Sequence, residues 1–208
     1  MQADYSPDGA NLMVRLRAAT ELDHPYPHRI FLPGRSSAVL ALLALEHAEK
    51  PKSISILLTR RSEALEAHRG QIAFPGGVID PEDEQAEGLK TTALRETEEE
   101  VGIARDQINV LGKLPELSTM TGYVITPFVG FLHAPHSEIS WKLSDGEIAE
   151  AFWIPLSRLR APDAYCREPI VGKFMETDVF NIDHFRIWGA TAAILKNLLD
   201  RLDYLGLD

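Results

Sequence analysis

Glu96, Glu99 and Glu100 stand at positions i, i+3 and i+4 of the run Arg95-Glu96-Thr97-Glu98-Glu99-Glu100-Val101-Gly102-Ile103. On a helix this spacing stacks three carboxylates on one face, with Cβ atoms about 5–6 Å apart. Like charges that close destabilise a helix unless something positive stands among them. A hard divalent cation with oxygen ligands answers that need. Most acidic helical runs are simply solvated surface, but two neighbours set this one apart. Arg95 can hold a carboxylate in a fixed rotamer through a bidentate pair. Phe74-Pro75-Gly76-Gly77 is a glycine-rich turn whose backbone can come close to a metal or a phosphate.

The acids need a helix to carry them, and the flanking residues predict one. No proline falls between Glu84 and Val101, and Leu89, Ala93, Thr97 and Val101 recur at helical spacing. Gly102 is a plausible left-handed stop. Asp80-Pro81-Glu82-Asp83 reads as a turn leading into the helix.

The stretch resembles the Nudix box, G-x5-E-x7-R-E-U-x-E-E-x-G-U with U apolar. Arg95, Glu96, Glu99, Glu100, Gly102 and Ile103 match it, and Thr97 stands where an apolar residue is usual. The front of the box is stretched. Glu87 lies at the right distance before Arg95, but Pro81 then occupies the glycine position. Counting from Gly77 selects Asp83 instead, with a longer gap to Arg95. Either Asp83 or Glu87 is the acid that orients Arg95.

A second motif adjoins the first. Leu57, Leu58, Thr59, Arg61, Ser62, Gly70, Phe74, Pro75, Gly76 and Gly77 are similar to the signature of the coenzyme A diphosphatase branch of Nudix hydrolases. Glu66 departs from it, standing where that branch usually carries arginine, and leaves a different substrate open. The two motifs together span residues 57–103.

The resemblance implies a Nudix fold, a mixed sheet held between helices, and hydrolysis of coenzyme A or a derivative to 3′,5′-adenosine diphosphate and 4′-phosphopantetheine. Another nucleoside diphosphate derivative (ADP-ribose, NADH or a dinucleotide) is the alternative substrate. A catalytically silent binding module of the same fold would usually lack the box glutamates that are intact here. The spacing of carboxylates alone supports only metal-dependent cleavage of a diphosphate.

Glu96, Glu99 and Glu100 are the expected ligands of Mg²⁺ or Mn²⁺, and the resemblance adds the backbone carbonyl of Gly76. Arg95 is expected to orient a glutamate. Glu99 and Glu147 are the two candidates for general base, with Glu150 able to substitute. Arg61, Ser62, His68, Gly70, Phe74 and Gly77 form the expected substrate-binding set. His68 is either a phosphate donor or a loop-packing residue.

Composition bounds the reading. The chain has 208 residues, 45% hydrophobic and 25% charged, ordinary for one globular domain with a sizeable core. Residues 1–35 read as an N-terminal extension to that domain. A net charge of −10 argues against a general nucleic-acid binder and calls for local cations, such as Arg60, Arg61 and Arg69, to receive an anionic substrate. Cys166 is the only cysteine, so no intrachain disulfide forms, and nothing beside it suggests an activated nucleophile. The apolar run from Ala38 to Leu45 is too short to span a bilayer. The N-terminus lacks the basic-then-apolar order of a signal peptide, and the last residues are no peroxisomal address, so a cytoplasmic enzyme is expected.

The remaining pattern predicts an α+β or α/β sandwich. A short amphipathic helix covers residues 9–20, and Pro25, Pro27 and Pro33 make an extended linker. Strands are predicted at 37–46 (a helix is the alternative), 54–60, 108–113, 124–132 and 148–154. A helical turn follows at 155–159, a hairpin at 179–187 and an apolar helix at 188–205. Leu195, Leu198, Leu199 and Leu202 form a core-facing stripe on that last helix. A homodimer through the same surface is the open alternative.

Overall fold

The computed structural model describes residues 7–22, 33–47, 53–84, 87–173 and 175–207. Pro25 and Pro27 lie outside them. The chain begins with α1 (Pro7–Glu21), followed by β1 (Arg35–Leu45), β2 (Ile54–Arg61), β3 (Ile72–Ala73) and β4 (Gly76–Val78). Then come α2 (Pro81–Glu84), α3 (Leu89–Val101), β5 (Ile108–Lys113), β6 (Leu117–Ser118), β7 (Tyr123–Leu132) and β8 (Ile148–Pro155). The last part holds α4 (Leu156–Leu159), β9 (Tyr165–Pro169), β10 (Glu176–Ile182), β11 (Phe185–Trp188) and α5 (Gly189–Tyr204).

Strands β1 to β8 make one eight-stranded mixed sheet, whose main path runs β3-β2-β1-β7-β5. The pairing of β1 with β7 is parallel, from Arg35 opposite Tyr123 to Leu43 opposite Phe131, and the other ladders are antiparallel. Strands β9 to β11 form a separate three-stranded sheet in the order β11-β10-β9.

Strand β1 shows why the sheet is sandwiched. Ala38, Leu40, Leu42 and Ala44 pack with Ala93, Val101 and Ile103 around α3. Ala41 and Leu43, on the alternate face, pack with Leu195, Leu198 and Leu202 of α5 and Leu16 of α1. Both faces are buried, so the strand reads as an almost continuous apolar run rather than an alternating one. That run is a strand, as its β-branched and aromatic partners in β7 require, and the helical alternative falls. The stripe Leu195, Leu198, Leu199 and Leu202 is spent inside this core. No helix among the described residues is long and apolar enough to cross a membrane.

The acidic helix is shorter than the pattern predicts. Pro81–Glu84 wind into α2 where the sequence predicts a plain turn at 80–83, and Gly88 (φ 61°) stands before α3. The Gly88 N–H donates to the Asp83 carbonyl at 2.9 Å and ends the first turn of helix. At the other end Gly102 adopts φ 77°, and its N–H caps the Glu98 carbonyl at 3.0 Å. The two-residue strands β3 and β6, the short β4, and β9 carry too little periodicity to be anticipated. The 179–187 hairpin is broader than expected, and Trp188 ends β11 before α5 begins at Gly189.

Candidate active site

A cavity of about 1220 Å³ lies between the two sheets. Its acidic wall holds Glu96 and Glu100 from α3 and Glu147 from the loop before β8, beside Arg61, Phe74, Gly76 and Gly77. His68 also lines it, with Nδ1 2.9 Å from Gln71 Oε1.

Local backbone contacts set these positions. A Cβ on Gly76 (φ 157°) would fall 2.3 Å from the Ala38 carbonyl oxygen, so glycine is what lets β4 lie this close to β1, and a Cβ on Gly77 would displace the Glu96 carboxylate, 2.2 Å away. The Gly76 N–H donates to Glu100 Oε2 at 3.3 Å. The loop carrying Glu147 hangs from the end of α3, where the Ser144 N–H donates to the Glu100 carbonyl at 3.0 Å. It is tied to the end of β2 by the Ser62 N–H, which donates to the Glu147 carbonyl at 2.8 Å.

Glu100 is the buried acid of the site, 4% exposed. Burial first, and then the charge of Glu96, push its carboxyl up to about 8, against the opposing pull of Arg61 and the Gly76 N–H. The nearest Arg61 contact is Nη1 to Oε1 at 3.7 Å, and Arg61 Nε is buried with no hydrogen-bond partner. Glu96 is raised in the same direction, chiefly by burial and against the pull of Arg95.

Arg95 stands behind this wall rather than on it. Its Nη2 lies 3.0 Å from Asp83 Oδ2, 3.0 Å from Glu96 Oε1 and 3.2 Å from Asp80 Oδ2, while Nη1 is 3.0 Å from Glu99 Oε2. Asp83, not Glu87, is the front acid that meets Arg95. Glu87 is exposed and pairs with Lys90. Asp83 is 2% exposed and also accepts from Thr92 Oγ1 at 2.9 Å. Hydrogen bonding to Arg95 holds its carboxyl below the usual range despite burial. Thr97 is buried at the usually apolar position, with its hydroxyl satisfied by the Ala93 carbonyl at 2.7 Å.

Other expected site residues lie off the cavity lining. Glu99 is half-exposed and engaged by Arg95. Ser62 Oγ accepts from the Ala64 N–H at 3.2 Å, and Gly70 packs beside Glu63. Glu150 pairs with Arg60 at 3.2 Å. Glu66 is exposed and does not line the cavity.

Among the described residues no three acidic, histidine or cysteine side chains close on one point in the form that would hold an ion. Glu99 is turned to Arg95 instead. The donor chemistry nonetheless fits a hard divalent cation. Two carboxylates four residues apart line one cavity, and the more buried one is destabilised by the charge of the other. Glu96, Glu100 and a rotated Glu99 are the residues that would hold it.

The opposite wall was not legible from motifs. It comprises Met120 and Tyr123 around the β6–β7 turn, Arg167, Lys173 and Met175 along β9, β10 and their turn, and Trp188 at the end of β11.

The sequence pattern of the NUDIX domain matches residues 34–174. The chain is 37% identical over 180 residues to a protein of Photorhabdus laumondii described as an uncharacterized Nudix hydrolase NudL, covering 86% of this chain and 90% of that one. A Yersinia pestis protein of the same description is 39% identical over 150 residues, 71% of this chain and 72% of its own. The crystal structure of a MutT/nudix family protein from Enterococcus faecalis aligns with a TM-score of 0.50 at 16% identity, over 96% of this chain and 70% of that chain.

Proposed function

The chain belongs to the NUDIX domain family, and from that premise we propose that it is a metal-dependent hydrolase cleaving the diphosphate bond of coenzyme A or a derivative. One observation carries the reading. Glu96 and Glu100 of the acidic helix share a cavity with Arg61, Phe74, Gly76 and Gly77, which belong to the coenzyme A diphosphatase motif. Glu66, the departure from that motif, lies outside the lining.

A divalent cation, Mg²⁺ or Mn²⁺, when bound supplies charge neutralisation along the diphosphate and acidity to an attacking water. Glu96 and Glu100 are its proposed holders, with Glu99 and the Gly76 carbonyl completing the set. Arg95 positions Glu96 and Glu99 by direct ion pairs. Arg61 presents a buried, unpartnered Nε–H that donates to a phosphate oxygen.

Glu147 is the proposed base. It lines the cavity, whereas the Glu99 carboxylate accepts from Arg95. Glu147 takes the proton of the water as its oxygen bonds to one phosphorus. The bond from that phosphorus to the bridging oxygen breaks, and the two products are 3′,5′-adenosine diphosphate and 4′-phosphopantetheine.

The test is incubation with Mg²⁺ or Mn²⁺ and, separately, coenzyme A, ADP-ribose, NADH and a diadenosine polyphosphate, with products resolved by chromatography. Release of 3′,5′-adenosine diphosphate from coenzyme A supports the reading. Cleavage of another diphosphate alone keeps the chemistry and moves the substrate.

A further inference from the structure

The wall facing the carboxylates has the chemistry of a second binding surface. Met120 (56% exposed), Met175 (42%) and Trp188 (44%) are large apolar side chains left open to solvent, and all three line the cavity. Exposed apolar side chains converging on one concave surface mark a ligand contact. Thioethers and an indole suit a flat aromatic ring, through sulfur–aromatic contact and stacking.

On this wall two cations, Arg167 and Lys173, stand with two acids, Glu176 and Asp178, and both acids engage Arg167. Three arginine or lysine side chains line the cavity: Arg61, Arg167 and Lys173. Arg61 faces Glu100, and Arg167 lies 3.2 Å from Glu176 and 3.9 Å from Asp178. Asp178 also accepts from the Tyr165 hydroxyl at 2.7 Å. Lys173 has no carboxylate within ion-pair distance among the described residues. Its Nζ lies 2.7 Å from Met120 Sδ, a weak acceptor. The contact joins the β9–β10 turn to the β6–β7 turn along this wall and sets the ammonium beside the apolar side chains.

We infer that this wall is the nucleoside subsite, with the base against Trp188, Met120 and Met175 and with Lys173 receiving a phosphomonoester carried on the ribose. The inference rests on the diphosphatase reading for the identity of the substrate. The size of the cavity agrees with an extended occupant, since about 1220 Å³ exceeds the usual 300–1,000 Å³ of small-molecule sites. Lys173 is thereby a specificity residue, distant from the bond that breaks.

Calorimetric titration of the full chain with 3′,5′-adenosine diphosphate and with 5′-AMP reads the subsite without turnover. The wild type is expected to bind the bisphosphate about tenfold tighter, the size of one charge-assisted contact. Lys173→Ala removes that preference and Lys173→Arg keeps it. Equal affinities in the wild type, or a preference that survives Lys173→Ala, overturn the inference. Coenzyme A turnover, measured in parallel, separates the two readings. A Lys173-dependent preference without coenzyme A cleavage upholds the subsite and removes coenzyme A as the substrate. Cleavage without the preference removes the subsite alone.

Discussion

The guanidinium of Arg95 donates from Nη2 to Oδ2 of Asp83 across 3.0 Å, joining the middle of α3 to the short helix that precedes it. Asp83 is buried, and Thr92 Oγ1 supplies it with a second donor. The pair fixes the rotamer of the arginine that in turn touches Glu96 and Glu99. Asp83→Asn is therefore expected to lower metal-dependent turnover by about 10–100-fold, the usual loss when a group behind a metal ligand is removed. Glu87→Gln should leave the rate unchanged. Steady-state rates of the two variants decide it, and the reverse ranking would transfer the orienting role to Glu87.

The same pair sets an acid limit on stability. Asp83 ionises below its ordinary value of 3.8 in the fold, with Arg95 the largest cause. The unfolded chain binds more protons in that window, so this stabilisation is complete above about pH 4 and is lost as pH falls through the folded value. Urea melts between pH 5 and pH 2 should show a shallower acid loss for Asp83→Asn than for the wild type. Parallel curves would remove Asp83 from the acid response.

Glu100 predicts the opposite slope. Its carboxyl rises from 4.5 to about 8, so the metal-free fold holds its proton longer than the unfolded chain does. Stability contributed by this proton is present at low pH and is lost as pH rises through about 8. Glu100→Gln should raise the Tm of metal-free protein at pH 8.5 and abolish the further rise caused by Mn²⁺. A variant still stabilised by Mn²⁺ as the wild type is would place the ion elsewhere.

Leu198 tests whether the apolar face of α5 belongs to the core or to a partner. It is 1% exposed and packs in the cluster that joins α5 to β1. Leu198→Ala is expected to cost about 2–5 kcal/mol in denaturant melts. Light scattering should give the same mass for variant and wild type. A change of mass without a loss of stability would assign the stripe to an interface.

The acidic helix was readable because helical periodicity is local, and Glu96 and Glu100 need only one turn to come together. Choosing between Asp83 and Glu87 required something periodicity does not carry, the break at Gly88 that sets where α2 ends. The apolar run of β1 reads as a strand with a helix as the alternative, and nothing in it points to its parallel partner β7, 88 positions away. The far wall was least legible. Met120, Lys173 and Trp188 come from separate turns and strands, and no spacing links them before the two sheets pack.

Among the described residues no ladder joins β9–β11 to the eight-stranded sheet that carries the acidic wall. Backbone pairing thus ties the strands beside the acidic wall and the Met120 turn into one ladder, while Lys173 and Trp188 belong to a sheet paired only within itself. Exchanges at Met120, Lys173 or Trp188 leave those main-chain hydrogen bonds untouched. Descendants of this chain could change the far wall without disturbing the strand pairing beside the acidic one.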